Sequence, residues 1–534
     1  MQKLLLGDEA IAQAALDAGI SGVYAYPGTP STEITEYIQH SKQAAEGNVQ
    51  RAWAANEKTA MEMAIGMSYA GKRALVCMKH VGLNVAADPF MNVAITGANG
   101  GLVVLVADDP SMHSSQDEQD SRVYAKFAFV PCFEPSNQQE AYTMTRFAFD
   151  LSEEHKIPVM IRVTTRLAHS RAGVKLETPR KQNEVKLHPN PKQFILLPAI
   201  ARVQYKQLLD KQPALLKASE TMNNNVYIDG ADKSMGIIAS GIAYNYLMEN
   251  YPDRKCPYPV LKITQYPLPI AMIEKMVDEC QSVMVAEEGY PVIEEQLRGL
   301  LNRGLDVKGR LDGVLPRTGE LNPNLLAKAL GIPVKEGQAI PAIVAPRPPA
   351  LCVGCPHIDT YNALNECMEK YGKGKVFSDI GCYTLGALPP YNAIYSTVDM
   401  GASITMAKGA SDAGLFPAVA VIGDSTFTHS GITSLLDAVI NNTPITVLIL
   451  DNYTTGMTGG QESHAFGRIA QICEGLGVEK EHIHIIKPLK NHHEENVKIL
   501  KEELEYKGVS VIIPTRECIQ TLNRRVKAKQ SEKK

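Results

Sequence analysis

Two short polar clusters carry most of the chemistry this sequence can do: Gly423-Asp424-Ser425 and, after 25 intervening residues, Asp451-Asn452. Each follows an apolar run, 418-AVAVI-422 and 444-PITVLIL-450, that reads as a buried strand, and 432–442 between them has helical periodicity. Strands joined by one crossover helix run parallel, so both clusters fall at the same edge of the sheet, where open α/β folds bind ligands. Asp424 and Asn452 would then point a carboxylate and an amide carbonyl into one small space. That donor pair suits Mg²⁺, a hard cation that keeps few protein ligands and completes its octahedron with diphosphate oxygens and water. Glycines at 456, 459 and 460 let backbone approach such a diphosphate closely. The bland alternative is a strand-end turn, which recruits Asp and Asn anyway; the strand–helix–strand context weighs against it.

Other reactive side chains say less. Cys352 and Cys355 form the C-x-x-C pair of the sequence, and one such pair is weak without two more ligands. The remaining cysteines are scattered, as small buried hydrophobes are in a reducing compartment. The histidines within 482–495 lie in a charged stretch and read as solvated surface rather than a metal site. The loop 96-TGANGG-101 lacks the G-x-G-x-x-G spacing of a dinucleotide fingerprint.

The elements that must position these groups alternate between short β-rich runs and helical segments, which predicts an α/β protein with mainly parallel sheets. A chain of 534 residues exceeds one hydrophobic core. Three lobes are expected: 1–170, with strands at 22-GVYAY-26, 74-ALVCM-78, 102-LVVLV-106 and 158-PVMIRV-163; 231–330; and 351–534. A charged, proline-containing connector covers 171–230, a proline-rich linker covers 331–350, and the charged tail 523–534 is expected to fray. A net charge of -4 gives no footprint for nucleic acid. The apolar runs fall far short of the ~20 residues that span a bilayer, and the start lacks the pattern of a signal peptide, so a cytoplasmic protein is expected.

The Gly-Asp-Ser…Asp-Asn pattern resembles the diphosphate–Mg²⁺ motif of thiamine-diphosphate enzymes. The stretches 26-YPGTPSTEI-34, 78-MKHVGLNVAADPF-90, 109-DPSMHSSQDEQDSR-122, 287-EEGYPVIEEQLRG-299, 351-LCVGCPH-357, 379-DIGCYTLGALPP-390 and 452-NYTTGMTGGQ-461 narrow the likeness. In this order they resemble the large subunits of the 2-oxoacid:ferredoxin oxidoreductase family, indolepyruvate branch. The resemblance implies a pyrimidine-binding first lobe, a transketolase C-terminal-like middle lobe and a diphosphate-binding third lobe. It implies thiamine diphosphate and Mg²⁺ as cofactors, with Gly423, Asp424, Ser425, Asn452, Gly456 and Cys382 at the cofactor and the Thr454 carbonyl completing the metal shell. Glu57, ahead of a small-residue helix, would be the acid that exchanges a proton with the aminopyrimidine N1′, and its apolar neighbours predict a raised pKa. The plainer reading of Glu57 is a first-turn Glu favoured by the helix dipole. Thr29 would bind substrate and His80 would position substrate or cofactor; a turn residue and a satisfied strand-end histidine are the alternatives.

Two departures stand out. Large subunits of this type continue into a ferredoxin-like tail with cysteine runs for two [4Fe–4S] clusters. Here only Cys518 follows Cys473, so the tail and its clusters are expected to be absent. Ile358-Asp359 stands where relatives often carry Arg-Gly. Cys352, Cys355 and Cys382 invite comparison with cluster ligands of sister enzymes, but a fourth ligand is not evident from the sequence, so a cluster held by these residues is not expected. The implied activity is oxidative decarboxylation of aryl-pyruvates to acyl-CoA. Its implied partners are a small (beta) subunit in a hetero-oligomer, a ferredoxin or separate iron–sulfur carrier, and coenzyme A. A non-oxidative decarboxylase with the same cofactor, or a non-catalytic scaffold, are the rival readings.

Overall fold

The computed structural model describes residues 2–190, 192–301, 304–334, 337–345 and 347–531. It divides into two compact units, Met1–Gln338 and Ala339–Lys534.

The first unit opens with β1 (Gln2–Leu6) and α1 (Gly7–Asp17), then β2 (Gly22–Ala25), α2 (Thr32–His40), β3 (Gln50–Trp53) and α3 (Glu57–Tyr69). It continues with β4 (Ala74–Lys79), α4 (His80–Val85), β5 (Leu102–Asp108), β6 (Cys132–Phe133), α5 (Gln138–His155), β7 (Val159–Thr164), α6 (Thr165–His169) and β8 (Arg171–Lys175). After α7 (Pro198–Thr221) come β9 (Val226–Ile228), β10 (Gly236–Ser240), β11 (Val260–Ile263), β12 (Gln265–Tyr266), β13 (Val283–Ala286) and β14 (Val307–Lys308). A seven-stranded sheet in the order β12-β6-β7-β5-β4-β2-β3 is parallel except at its β12 edge. The β5 run, Leu-Val-Val-Leu-Val-Ala-Asp, is buried at every position because helices cover both faces of a parallel sheet. A five-stranded sheet, β14-β13-β10-β11-β9, shares the same two core clusters.

Buried charges also join these two sheets. Arg122 donates to Asp120 at 2.6 Å and to Glu287 at 2.9 Å, while Arg162 donates to Asp108 at 2.6 Å and to the Glu288 carbonyl at 3.0 Å. The 287-EEGYPV-292 stretch therefore folds onto β7 and the segment after β5.

Where a connector was expected at 171–230, the structure places β8 and the 24-residue helix α7. Its buried Gln204, Leu208, Leu215 and Ala218 form one stripe, a pattern hidden in the sequence by Pro213 inside the helix and by the charged stretch before it. Of the expected linker 331–350, residues 335, 336 and 346 lie outside the described set, as do 532–534 of the tail.

The second unit contains α8 (Pro356–Met368), β15 (Val376–Ser378), β16 (Ser396–Thr397), β17 (Val419–Gly423), α9 (Ile432–Ile440), β18 (Ile445–Leu450), β19 (Thr454–Thr455), β20 (Gln461–Glu462), β21 (Ile483–Ile486), β22 (Val509–Pro514) and α10 (Ile519–Ser531). Most of the tail expected to fray is thus helical. Six strands in the order β16-β15-β17-β18-β22-β21 form an all-parallel sheet. Strand alternation sends Ala420 and Ile422 into one core layer and Val419 and Val421 into the other. Among the described residues no helix is long and apolar enough to cross a membrane.

Candidate functional site

In the second unit the register pairs Gly423 of β17 with Leu450 of β18, so Asp424 and Asp451 leave the sheet side by side. Both are buried, at 3% and 6% exposure. Burial and the neighbouring Asp451 carboxylate push Asp424 up to about 8. Asp379, at the end of β15, is pushed to about 7 by burial, yet its oxygens receive hydrogen bonds from Tyr383 and Ser403. Asp451 accepts from the Tyr453 amide at 3.3 Å. Asp424 differs: Oδ1 accepts from the Ser425 amide at 2.6 Å, while the buried Oδ2 has no donor. Of these three acids, Asp424 is the one with a buried oxygen that no amide or hydroxyl reaches; its carboxyl faces that of Asp451, and the pair needs a proton or a cation between them.

Asn452 and Thr454 complete this edge. Asn452 Oδ1 accepts from the Thr454 amide at 3.1 Å, and Tyr453 between them has φ +67°, a left-handed conformation that side chains rarely adopt. The Tyr453 ring packs edge-on against Phe466, with centroids 4.9 Å apart. Ser425 Oγ accepts from Thr455 Oγ1 at 3.0 Å, drawing the strand-end turn and β19 together. Side chains larger than hydrogen do not fit the cradle: a Cβ on Gly423 would stand 2.5 Å from the Tyr383 ring, and one on Gly456 would stand 3.1 Å from Cys382 Sγ. The chain resumes after Thr426 as a π-turn over 427–431, a local widening frequent at functional sites. An open carboxylate oxygen, an amide carbonyl and a small-residue cradle fit a divalent ion carrying a diphosphate.

His357, which the sequence reading did not single out, sits under Asn452. Its Nε2 is 3.3 Å from Asn452 Nδ2, and burial pushes its pKa down to about 4, leaving a neutral ring. The signal was present as the His of 351-LCVGCPH-357. Cys518 was also passed over. It holds the Asn452 carbonyl through its amide at 3.1 Å, and Gln520, two residues on, donates to Cys352 Sγ at 3.4 Å. The Cys382 thiol, pushed to about 12 chiefly by burial, also feels Cys355, Cys518, Cys352 and Asp424. A fourth cysteine, Cys518, therefore lies in the neighbourhood of Cys382, which sequence spacing did not reveal, since it lies 136 residues beyond Cys382 and returns only through β22. No three of these sulfurs lie within 4.8 Å of one another, which is wider than a single tetrahedral ion needs. The histidines expected as solvated surface are instead half-buried: His482 and His484 both hydrogen-bond the buried Glu503, and the His482 ring stacks on Tyr506.

In the first unit Glu57, Thr29 and His80 gather at the C-terminal edge of the seven-stranded sheet. Glu57 is the first residue of α3, behind Asn56, whose side chain caps the helix by accepting from the Thr59 amide at 2.9 Å. Glu57 is 5% exposed and packs on α4: a Cβ on Gly82 would lie 2.6 Å from its Oε1. His80 is 1% exposed, with Nε2 at 3.1 Å from the Asp117 carbonyl and Nδ1 without a partner. Thr29 is half-buried, and its carbonyl accepts from Ser114 Oγ at 3.4 Å. Lys79, pushed down by burial, lies within the field of Asp109, Glu57 and Asp117 and donates to the Ser114 carbonyl at 3.2 Å.

Comparison with known proteins matches this layout. Residues 13–214 match the family model "Pyruvate flavodoxin/ferredoxin oxidoreductase, thiamine diP-bdg", and residues 379–513 match "Thiamine pyrophosphate enzyme, C-terminal TPP binding domain". The fold and these matches define a thiamine-diphosphate-binding oxidoreductase subunit. The chain is 40% identical to the indolepyruvate oxidoreductase subunit IorA of Archaeoglobus fulgidus, covering 96% of this chain and 86% of that protein. It is 39% identical to the same subunit of Methanothermobacter thermautotrophicus, with the same coverage, and 38% identical to that of Pyrococcus abyssi over 96% and 85%. The chain belongs to the indolepyruvate oxidoreductase IorA family. A solved 2-oxoglutarate:ferredoxin oxidoreductase from Magnetococcus marinus aligns at TM-score 0.49 and 14% identity over 62% of this chain and 65% of that one.

Proposed function

We propose that the chain is the catalytic large subunit of an enzyme that oxidatively decarboxylates aryl-pyruvates of the indolepyruvate type to acyl-CoA, working with a small subunit and an iron–sulfur electron carrier such as ferredoxin. The observation that carries the reading is the unpartnered, buried Asp424 oxygen at the mouth of an otherwise satisfied cradle. Asp424, Asn452 and the Thr454 carbonyl would hold Mg²⁺, with Gly423, Ser425 and Gly456 giving room for the diphosphate and Cys382 lining the space beside it. Thiamine diphosphate, when bound, supplies the carbanion that attacks the keto carbon and the electron sink that follows loss of CO₂. Glu57, from the first unit of this chain or of a second copy, exchanges a proton with the aminopyrimidine N1′. Thr29 binds the keto acid and His80 orients it. Cys352, Cys355, Cys382 and Cys518 would hold an iron–sulfur cluster, which accepts electrons singly.

The test is turnover of the chain with its small subunit on indolepyruvate, coenzyme A, thiamine diphosphate, Mg²⁺ and ferredoxin. Acyl-CoA and reduced ferredoxin are expected, and Glu57→Gln should abolish both while Mg²⁺-dependent cofactor binding persists. Aldehyde release without an electron acceptor would make it a non-oxidative decarboxylase instead.

A further inference from the structure

A second acidic constellation lies at the same edge of the first unit's sheet but takes no part in the function proposed above. Asp8 is the second residue of α1, Glu33 the second of α2 and His169 the last of α6. One ligand atom from each lies within 4.8 Å of the others. Asp8 is fully buried, and neither of its carboxylate oxygens receives a hydrogen bond; Glu33 Oε2 is likewise buried without a donor. His169 Nε2 stands 3.5 Å from Glu33 Oε1. Three orphan carboxylate oxygens facing one imidazole are costly unless a cation or a proton sits among them.

We propose that Asp8, Glu33 and His169 form a divalent metal site for an ion of the Mn²⁺ or Zn²⁺ class. Two carboxylates and one imidazole neutralise such an ion and suit it better than the all-oxygen shells of Mg²⁺ or Ca²⁺. Asp8 forms the floor, and the 35% and 36% exposure of the Glu33 and His169 side chains leaves a route in and a position for water. The ion ties together the ends of three helices. One of them, α2, begins directly after the 26–31 loop that carries Thr29, so the metal would fix that loop against α1 and α6.

The experiment is titration of the full chain with Mn²⁺ in the absence of thiamine diphosphate, counting free Mn²⁺ by electron paramagnetic resonance. An Asp424→Asn background removes the other oxygen-rich site, and Mn²⁺ discriminates against the cysteine sulfurs. One Mn²⁺ per chain is expected, with affinity falling about tenfold or more in His169→Gln and in Asp8→Asn. His169 is partly exposed, so its variant decides the matter even should Asp8→Asn fail to fold. The proposal is overturned by the absence of bound Mn²⁺ in this background, or by binding that His169→Gln leaves unchanged. Because Asp424 is already replaced, neither result bears on the proposed catalytic function.

Discussion

The side-chain amide of Asn452 and the imidazole of His357 meet at 3.3 Å in a buried pocket of the second unit. Because burial keeps His357 neutral, its Nε2 can accept the amide hydrogen, which turns Asn452 Oδ1 toward the Thr454 amide. His357 is a positioning residue: it touches the proposed metal ligand rather than the metal. Replacing His357 with Phe keeps the ring and removes the acceptor. Mg²⁺-dependent binding of thiamine diphosphate, followed by calorimetry, is expected to weaken about 10–100-fold, as for lost partners of other metal ligands. An unaltered Mg²⁺ dependence in a folded variant would show that Asn452 needs no such support.

Gly82 makes a parallel prediction for the first unit. Its hydrogen faces Glu57, and a methyl group there would stand 2.6 Å from Oε1 and 2.7 Å from Cγ. Gly82→Ala must therefore displace the carboxylate without changing its chemistry. Since misplacement by ~1 Å can cost ~100-fold in rate, kcat is expected to fall on the order of 10–100-fold while the affinity for thiamine diphosphate stays near that of the parent. Loss of cofactor binding in proportion to rate would instead place Glu57 in the binding of the cofactor and not in proton exchange.

Much of this was legible in the sequence because the relevant signals are local. Runs such as 102-LVVLV-106 and 444-PITVLIL-450 announce buried parallel strands, and the spacing of Asp424 and Asn452 announces a shared sheet edge. Helix α7 was not legible, since a proline inside it and charges before it masked a narrow apolar stripe. Cys518 and His357 were missed for a different reason. Their partners lie far away in sequence: β22 returns beside β18 and brings Cys518 to Asn452, while His357 arrives in the first turn of α8. The Asp8–Glu33–His169 group likewise depends on three helix ends that only the fold assembles.

The buried charges of the first unit set a pH dependence of stability. Glu288, 1% exposed, is pushed up to about 8, first by burial and against the pull of Arg310. The folded chain therefore holds a proton there that the unfolded chain releases near the ordinary value of 4.5. A group raised in this way contributes stability that is complete below 4.5 and is lost as pH rises through 8. Within that window the slope from this group is at most about 1.4 kcal/mol per pH unit. Glu288→Gln keeps an acceptor for the Leu321 amide, 2.9 Å from Oε1, and removes the titration. Thermal melts of the first unit's transition should fall less steeply between pH 5 and 8, on the order of this slope, in the variant than in the parent. Equal slopes would mean that Glu288 is ionised throughout.

Electron exit gives the last prediction. Cys355 and Cys382 are pushed to about 11 and about 12 by burial, so as bare thiols they are protonated, and a metal must displace those protons to bind. Cys518 would be the fourth ligand, held in place by the hydrogen bond that its backbone N–H donates to the Asn452 carbonyl rather than by its sulfur. Cys518→Ser leaves that backbone contact intact and removes one thiolate. After anaerobic reconstitution with iron and sulfide, the parent chain is expected to gain an iron–sulfur chromophore that the variant lacks or holds only weakly, with thiamine diphosphate binding preserved in both. Cys256→Ser, half-buried in the first unit, serves as the control and should keep the chromophore. If Cys518→Ser retained the full iron complement of the parent, these four cysteines would not be the ligands, and electrons would have to leave the cofactor directly for a partner protein.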